Sequence, residues 1–248
     1  METNAYIGEI IASLVYLVVG LRLFALSRRT RGTPETLLAL SFLAWTSAFA
    51  FYNIPYAFVE DEERIAPFFS YGSLTCLGVG NVVFAVFIRS TFRGRERWAG
   101  ALLAVICLSA VVGLIGTGWV GDWEGEGVFT NPFYWSEFVG SFAPSVWMAV
   151  EGFVHHFKAR RRFALGLCDA MMCHRFLLWG IAGALWIFLE LVIAAQDHAY
   201  SIFGRPSTWL GIGNALLEMA PIAIVWLVFF PPRAYRRWVE RAAPAAPA

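Results

Sequence analysis

Three glutamates stand out within the long apolar stretches of this sequence, where ionisable side chains are rare. They are Glu151, Glu190 and Glu218. A charged side chain at the centre of a bilayer costs about 2.5–3.5 kcal/mol on insertion scales, so such residues usually face protein and often serve a function. A carboxyl without a cationic partner is most stable there in its neutral form. In that form it can donate a hydrogen bond or act as a general acid.

Other polar and aromatic residues recur near these acids at helical spacing. Asn214 lies four residues before Glu218, and Trp186 lies four residues before Glu190, so each pair shares a helix face. Polar groups set in aromatic walls are typical of a small-molecule pocket. The sequence therefore predicts a ligand-binding cavity in the outer half of a helical bundle, formed by Asn53, Tyr56, Asn81, Trp186, Glu190, Trp209, Asn214 and Glu218.

These same residues have a second interpretation, as contacts that hold helices together. Asparagines at the interfaces of membrane helices commonly do only that. We favour this structural role for Asn53, Asn81 and Asn214. For Glu190 and Glu218 burial costs more, and the functional and structural interpretations are equally supported.

Two further groups of residues have side chains that could take part in chemistry. Glu151 and His155 are four residues apart and could form a proton relay, but His155 lies where its helix leaves the apolar stretch, which favours solvation at the membrane interface. Cys168 and Cys173 precede His174, yet their five-residue step is not a zinc-knuckle spacing. We therefore expect no metal and no cofactor.

The elements that must position these residues follow from composition. The chain of 248 residues is 58% hydrophobic and 15% charged, with a mean hydropathy of +0.60, whereas soluble domains carry about 25% charged residues. The pattern predicts an all-α membrane protein, a seven-transmembrane-helix up-and-down bundle in one domain over 1–238, followed by a disordered tail over 239–248. The apolar runs lie at about 5–27, 34–59, 66–92, 98–119, 134–157, 175–196 and 207–230.

The distribution of charge predicts the orientation. All but three of the 19 Lys and Arg residues fall in the connections after runs one, three and five or in the C-terminal tail, while the alternate connections read "VEDEER" and "GDWEGEG". The positive-inside rule then places the N-terminus outside and the C-terminus in the cytoplasm. The basic side faces membrane lipids with anionic headgroups, and we expect no nucleic acid partner.

The seven-run layout resembles a microbial rhodopsin or a receptor-type bundle. A retinal Schiff base requires a lysine in the seventh helix, and the single lysine, Lys158, lies elsewhere, so retinal linkage is excluded. The stretches "RRFALGLCDAMMCHRFLLWG" (161–180) and "FFPPRAYRRW" (229–238) resemble the inner ends of uncharacterised bacterial seven-helix proteins. The second is also similar to the exits of membrane sensor modules. This resemblance implies a multi-pass protein of the bacterial inner membrane with a separate cytoplasmic signalling partner.

Two functions are consistent with these features. The leading hypothesis is a receptor- or sensor-like membrane protein that binds a small apolar or amphipathic ligand. The alternative is a small membrane enzyme, similar in layout to the seven-helix terpenoid cyclases. In that case Glu218 or Glu190 would be the general acid, and aromatic faces would stabilise a cation.

Overall fold

The computed structural model describes residues 3–58, 62–120, 131–203 and 208–242. Long apolar runs without internal breaks favour helices, because a helix satisfies its own backbone hydrogen bonds without water. In the described ranges the chain forms eight α-helices and no strand. They are α1 Thr3–Thr30, α2 Thr33–Phe58, α3 Glu62–Phe92, α4 Arg97–Val120, α5 Pro132–Ala164, α6 Ala170–Phe203, α7 Thr208–Phe229 and α8 Arg233–Ala242.

Several of these helices can cross a membrane. Five are long and apolar enough, and a sixth is counted if α7 and α8, which meet at a bend of 81°, are taken as one span. The helix α5 is not among them, because it carries acidic, histidine and basic side chains along its length. The helical bundle and its candidate spans support an integral membrane protein.

The C-terminal segment differs from expectation. The sequence predicts a disordered tail from residue 239, but α8 continues to Ala242. Its basic residues alternate with apolar ones, and Val239 is buried while Trp238 remains exposed. Burial of one side of this short helix stabilises it, so the helix continues past the residue at which composition alone predicts its end. Residues 243–248 lie outside the described part of the chain.

The first seven helices close into a ring. Each packs against the next in sequence order, and α7 packs back on α1, while α3 also contacts α5 and α8 contacts α6. Short connections favour such neighbour-to-neighbour packing. Large aromatic side chains fill the middle, among them the buried Phe42, Phe84, Phe87, Trp179 and Trp186. We call the end with the α2–α3, α4–α5 and α6–α7 connections the acidic end, and the opposite one the basic end.

The closest backbone approach described lies between α5 and α6. A Cβ atom added at Gly152 would collide with the backbone nitrogen of Gly180, and one added at Gly183 would lie 2.5 Å from the backbone nitrogen of Ala149. Neither neighbour is a flexible side chain, so a clash cannot be relieved by a rotamer change. Small residues at such contacts are typical of membrane helices.

This contact generates the first prediction. Gly152→Ala should destabilise the protein by about 1–3 kcal/mol, as overpacking of a tight contact does. Gly78→Ala is the matched control, because the nearest atom to its added Cβ is 3.9 Å away and both changes raise helix propensity equally. Thermal unfolding in detergent measures both. Equal stability of the two variants would contradict the close α5–α6 packing.

Candidate functional site

An aromatic cluster occupies the middle of the bundle, formed by Tyr16, Trp45, Phe84 and Trp186. The Trp45 ring centroid lies 5.4 Å from that of Phe84 and 5.9 Å from those of Tyr16 and Trp186. All four side chains are buried. They come from α1, α2, α3 and α6, so the cluster joins helices on opposite sides of the ring. Trp186, predicted from sequence, belongs to it, whereas Tyr16 was not predicted.

Two of the predicted amides make contacts between helices. Asn81, which is buried, accepts a hydrogen bond from Nε1 of Trp45 at 3.0 Å. Asn214 of α7 exchanges two amide hydrogen bonds with Gln196 of α6, the first from Gln196 Nε2 to Asn214 Oδ1 at 2.9 Å. These contacts agree with the structural role favoured for both asparagines. Asn214 is thereby engaged with α6.

The predicted acids lie beside the aromatic cluster. The hydroxyl of Ser141 on α5 donates to Oε2 of Glu190 on α6 at 3.3 Å. The buried Tyr16 phenol interacts with the indole of Trp186 and, electrostatically, with the carboxyls of both Glu218 and Glu190. The structure thus brings the two predicted acids to one tyrosine from two different helices.

A third acid, Glu137, was missed by the sequence reasoning. It lies one turn before Ser141 on α5 and close enough to Glu190 for the two carboxyls to interact electrostatically. Within the described part of the chain its Oε2 is buried without a hydrogen-bond partner. The four-residue step from Glu137 to Ser141, which places both side chains on one helix face, was the available signal.

A small cavity lies next to Glu137, between α3, α4 and α5. The cavity volume is about 10 Å³, and the lining includes Asn81 and Gly140. That volume is enough for about one water molecule. A water there would supply the hydrogen bond that Oε2 of Glu137 lacks among the described residues.

The remaining predicted residues lie toward the acidic end. Asn53 and Tyr56 are in the last turns of α2, and Trp209 is in the first turn of α7. Their side chains lie outside the described residues, so their part in a site stays a prediction. The aromatic cluster is nearer the middle of the helices than the outer-half cavity predicted from sequence. The neighbouring acids Glu137 and Glu190 lie on the side toward the acidic end.

A second cluster of charged residues lies at the basic end, where α3, α4 and α5 meet. Glu151 is 1% exposed, and its Oε1 accepts a hydrogen bond from Nε of Arg93 at 2.8 Å. Its Oε2 lies 3.5 Å from Nε2 of His155. Interfacial solvation stays a prediction for His155, which is partly exposed, whereas Glu151 is buried and paired with Arg93, distant in sequence.

Further contacts fix the position of the Arg93 side chain. Its Nη1 lies 2.7 Å from Oε1 of Glu96, and its guanidinium lies 5.6 Å from the ring centroid of Trp98. The Trp98 indole also donates to Glu96. The bond to Glu151 raises the pKa of Arg93 above its ordinary value, and the bond from Arg93 lowers the pKa of Glu96. Arg93 and Glu96 therefore both stay charged at neutral pH.

No group of three or more His, Cys, Asp or Glu side chains converges on a possible metal position in the described ranges. Comparison with protein families, curated proteins and solved structures finds no match to this chain. The fold and the site together define the class: an all-helical integral membrane protein whose interior combines packed aromatic rings with carboxyl groups.

The ion pair of Arg93 and Glu151 generates the second prediction. Arg93→Met should cost about 3–5 kcal/mol, because it leaves a buried carboxylate without its partner. Arg93→Met combined with Glu151→Met should cost less than Arg93→Met alone, since no unpaired buried charge remains. Unfolding in detergent gives both values.

The control for this pair is Glu96→Gln, which removes the exposed partner of the same arginine. It should leave the unfolding temperature nearly unchanged, because exposed ion pairs contribute little. A double variant that is less stable than Arg93→Met would contradict the assignment of Glu151 as a buried charge that depends on Arg93.

Proposed function

We propose that this chain is a seven-span protein of the bacterial inner membrane, with its N-terminus outside and its C-terminus in the cytoplasm. The closed ring of seven helices supports it, as does the concentration of arginine at the basic end. In this arrangement α5 is the one polar span. Its buried acid Glu151 is paired with Arg93 instead of facing lipid.

Within this topology the protein acts as a receptor or sensor for a small apolar or amphipathic ligand. The observation that carries this proposal is the convergence of Glu137, Glu190 and Ser141 beside the aromatic cluster. The carboxyls of Glu137 and Glu190 would bind a polar group of the ligand. The rings of Trp186 and Phe84 lie next to these carboxyls, nearer the middle of the bundle. The ligand would enter from the acidic end, where Asn53, Tyr56 and Trp209 lie.

The enzyme alternative has one observation in its favour. Acids and aromatic rings adjoin one another around Tyr16, which interacts with both Glu190 and Glu218. An acid-catalysed cyclisation needs a proton donor and aromatic faces that stabilise a cation. In that case the same residues would be catalytic, and the protein would need no separate signalling partner.

The third prediction concerns topology. Reporter fusions after Arg31 and Arg162 should be cytoplasmic, and fusions after Glu63 and Glu126 should be external, because the basic connections stay inside. Paired reporters that are active on opposite sides of the membrane provide the measurement. A reversed result at any one site would overturn the seven-span arrangement.

The fourth prediction concerns the ligand. Protein purified from its membrane should retain a small molecule that mass spectrometry of an organic extract detects. Glu190→Gln should reduce the retained amount by up to about tenfold, since an ordinary hydrogen bond contributes about 0.5–1.5 kcal/mol. The matched control is Glu240→Gln, an exposed acid on α8.

The outcomes of that experiment separate the two functions. Retention by wild type and Glu240→Gln but not by Glu190→Gln supports binding at the proposed site. Conversion of the molecule to a new product by wild type, abolished in Glu190→Gln or Glu218→Gln, supports the enzyme. Equal amounts in all variants would show that the molecule is bulk lipid and would contradict a site at Glu190.

A further inference from the structure

Two cysteine side chains meet in the connection between α5 and α6. The Sγ atoms of Cys168 and Cys173 lie 3.7 Å apart, and both thiols are free. The Cys168 thiol also donates to the backbone oxygen of Ala159 at 3.2 Å. This contact holds the Cys168 side chain toward α5, beside the start of α6.

The local backbone explains why these two thiols meet. Gly166 has a φ of 71°, and its backbone N–H and that of Leu167 close the end of α5 by bonding to the carbonyls of Phe163 and Arg162, both at 2.9 Å. The chain then turns directly into α6. This closure leaves few residues between the helices.

The start of α6 places the cysteines at paired positions. Asp169 caps the helix, since its Oδ1 accepts from the backbone N–H of Met172 at 2.5 Å. Cys168 therefore precedes the cap, and Cys173 is the fourth helical residue. Side chains at these two positions commonly pack together as a hydrophobic staple. Here both members of the staple are thiols, so the contact can become covalent.

We propose that Cys168 and Cys173 form a redox-active dithiol, which a hydroperoxide oxidises to an intramolecular disulfide. In the first step the thiolate of Cys168 attacks the peroxide, giving a sulfenic acid on Cys168 and releasing an alcohol. In the second step the thiol of Cys173 attacks that sulfenic sulfur. The S–S bond forms, the S–O bond breaks, and the hydroxyl leaves as water.

The assignment of the two roles follows from exposure. Cys173 is 7% exposed, whereas Cys168 is half-buried and so is the thiol that a peroxide in solution reaches. The sulfur atoms must approach from 3.7 Å to the disulfide length of about 2.05 Å, a movement within a short turn. If the basic end faces the cytoplasm, reducing conditions keep the dithiol as the resting form, and the disulfide is transient.

The fifth prediction tests this pair in the full-length protein in detergent, treated with tert-butyl hydroperoxide. Cleavage after Arg162 and Arg175 releases both cysteines on one peptide. After treatment that peptide should lose both maleimide-reactive sites and two hydrogen atoms in mass, and dithiothreitol should restore them. Cys76 and Cys107, in the same molecules, should remain reactive and are the internal controls.

Single variants test the order of the two steps. Cys173→Ser lacks the second thiol, so a sulfenic acid should accumulate on Cys168 and be trapped by dimedone. Cys168→Ser should give no dimedone adduct on Cys173 at the same peroxide dose. Circular dichroism and gel filtration establish that each variant is folded before treatment.

Three results would overturn the proposal. In the first, both thiols of wild type remain reactive when Cys76 or Cys107 is already oxidised. In the second, Cys168 is converted to sulfinic acid without a disulfide. In the third, the disulfide links two chains, which non-reducing electrophoresis detects.

Discussion

The need to satisfy polar groups inside an apolar helical bundle is the constraint on which the rest of this structure depends. A polar group there must find its partner within the protein, or remain at a cost of several kcal/mol. Many hydroxyl groups find a partner within their own helix, because they donate a hydrogen bond to the carbonyl one turn earlier. Those of Ser41 and Thr46 do so, with bonds to the oxygens of Leu37 and Phe42.

Polar side chains that find no hydrogen-bond partner within their own helix determine how the helices are arranged. The helix α5 carries several of them, including Glu137, Glu151 and His155. It is accordingly packed against α3, α4 and α6, and Gly152 permits the close approach of α6. Both candidate clusters therefore depend on the position of one helix. A change that loosens the α5–α6 contact should affect the acids at one end and the ion pair at the other.

The aromatic middle separates these two polar regions. Trp45, Phe84 and Trp186 are in direct contact, and Phe87 with Trp179 continues the packing toward the basic end. Aromatic pairs add about 0.5–1.5 kcal/mol each beyond the area they bury. The arrangement isolates Glu190 from the charges around Arg93. A ligand at the acidic end would therefore contact rings and carboxyls, and would act on the basic end only through movement of helices.

The sequence by itself determined the helices, because a long apolar run can satisfy its backbone only as a helix. It also identified Glu190 and Glu218 as unusual and Asn81 and Asn214 as helix contacts, since residue type and burial decide those roles. The orientation and the seven spans stay predictions. Only the tertiary structure decided that Arg93 pairs with Glu151. It also decided that Glu137 interacts electrostatically with Glu190, and the Tyr16 phenol with the carboxyls of Glu190 and Glu218. These partners are far apart in the chain or on different helices, and helical periodicity gives only the face of a residue, whereas its partner depends on how the helices pack.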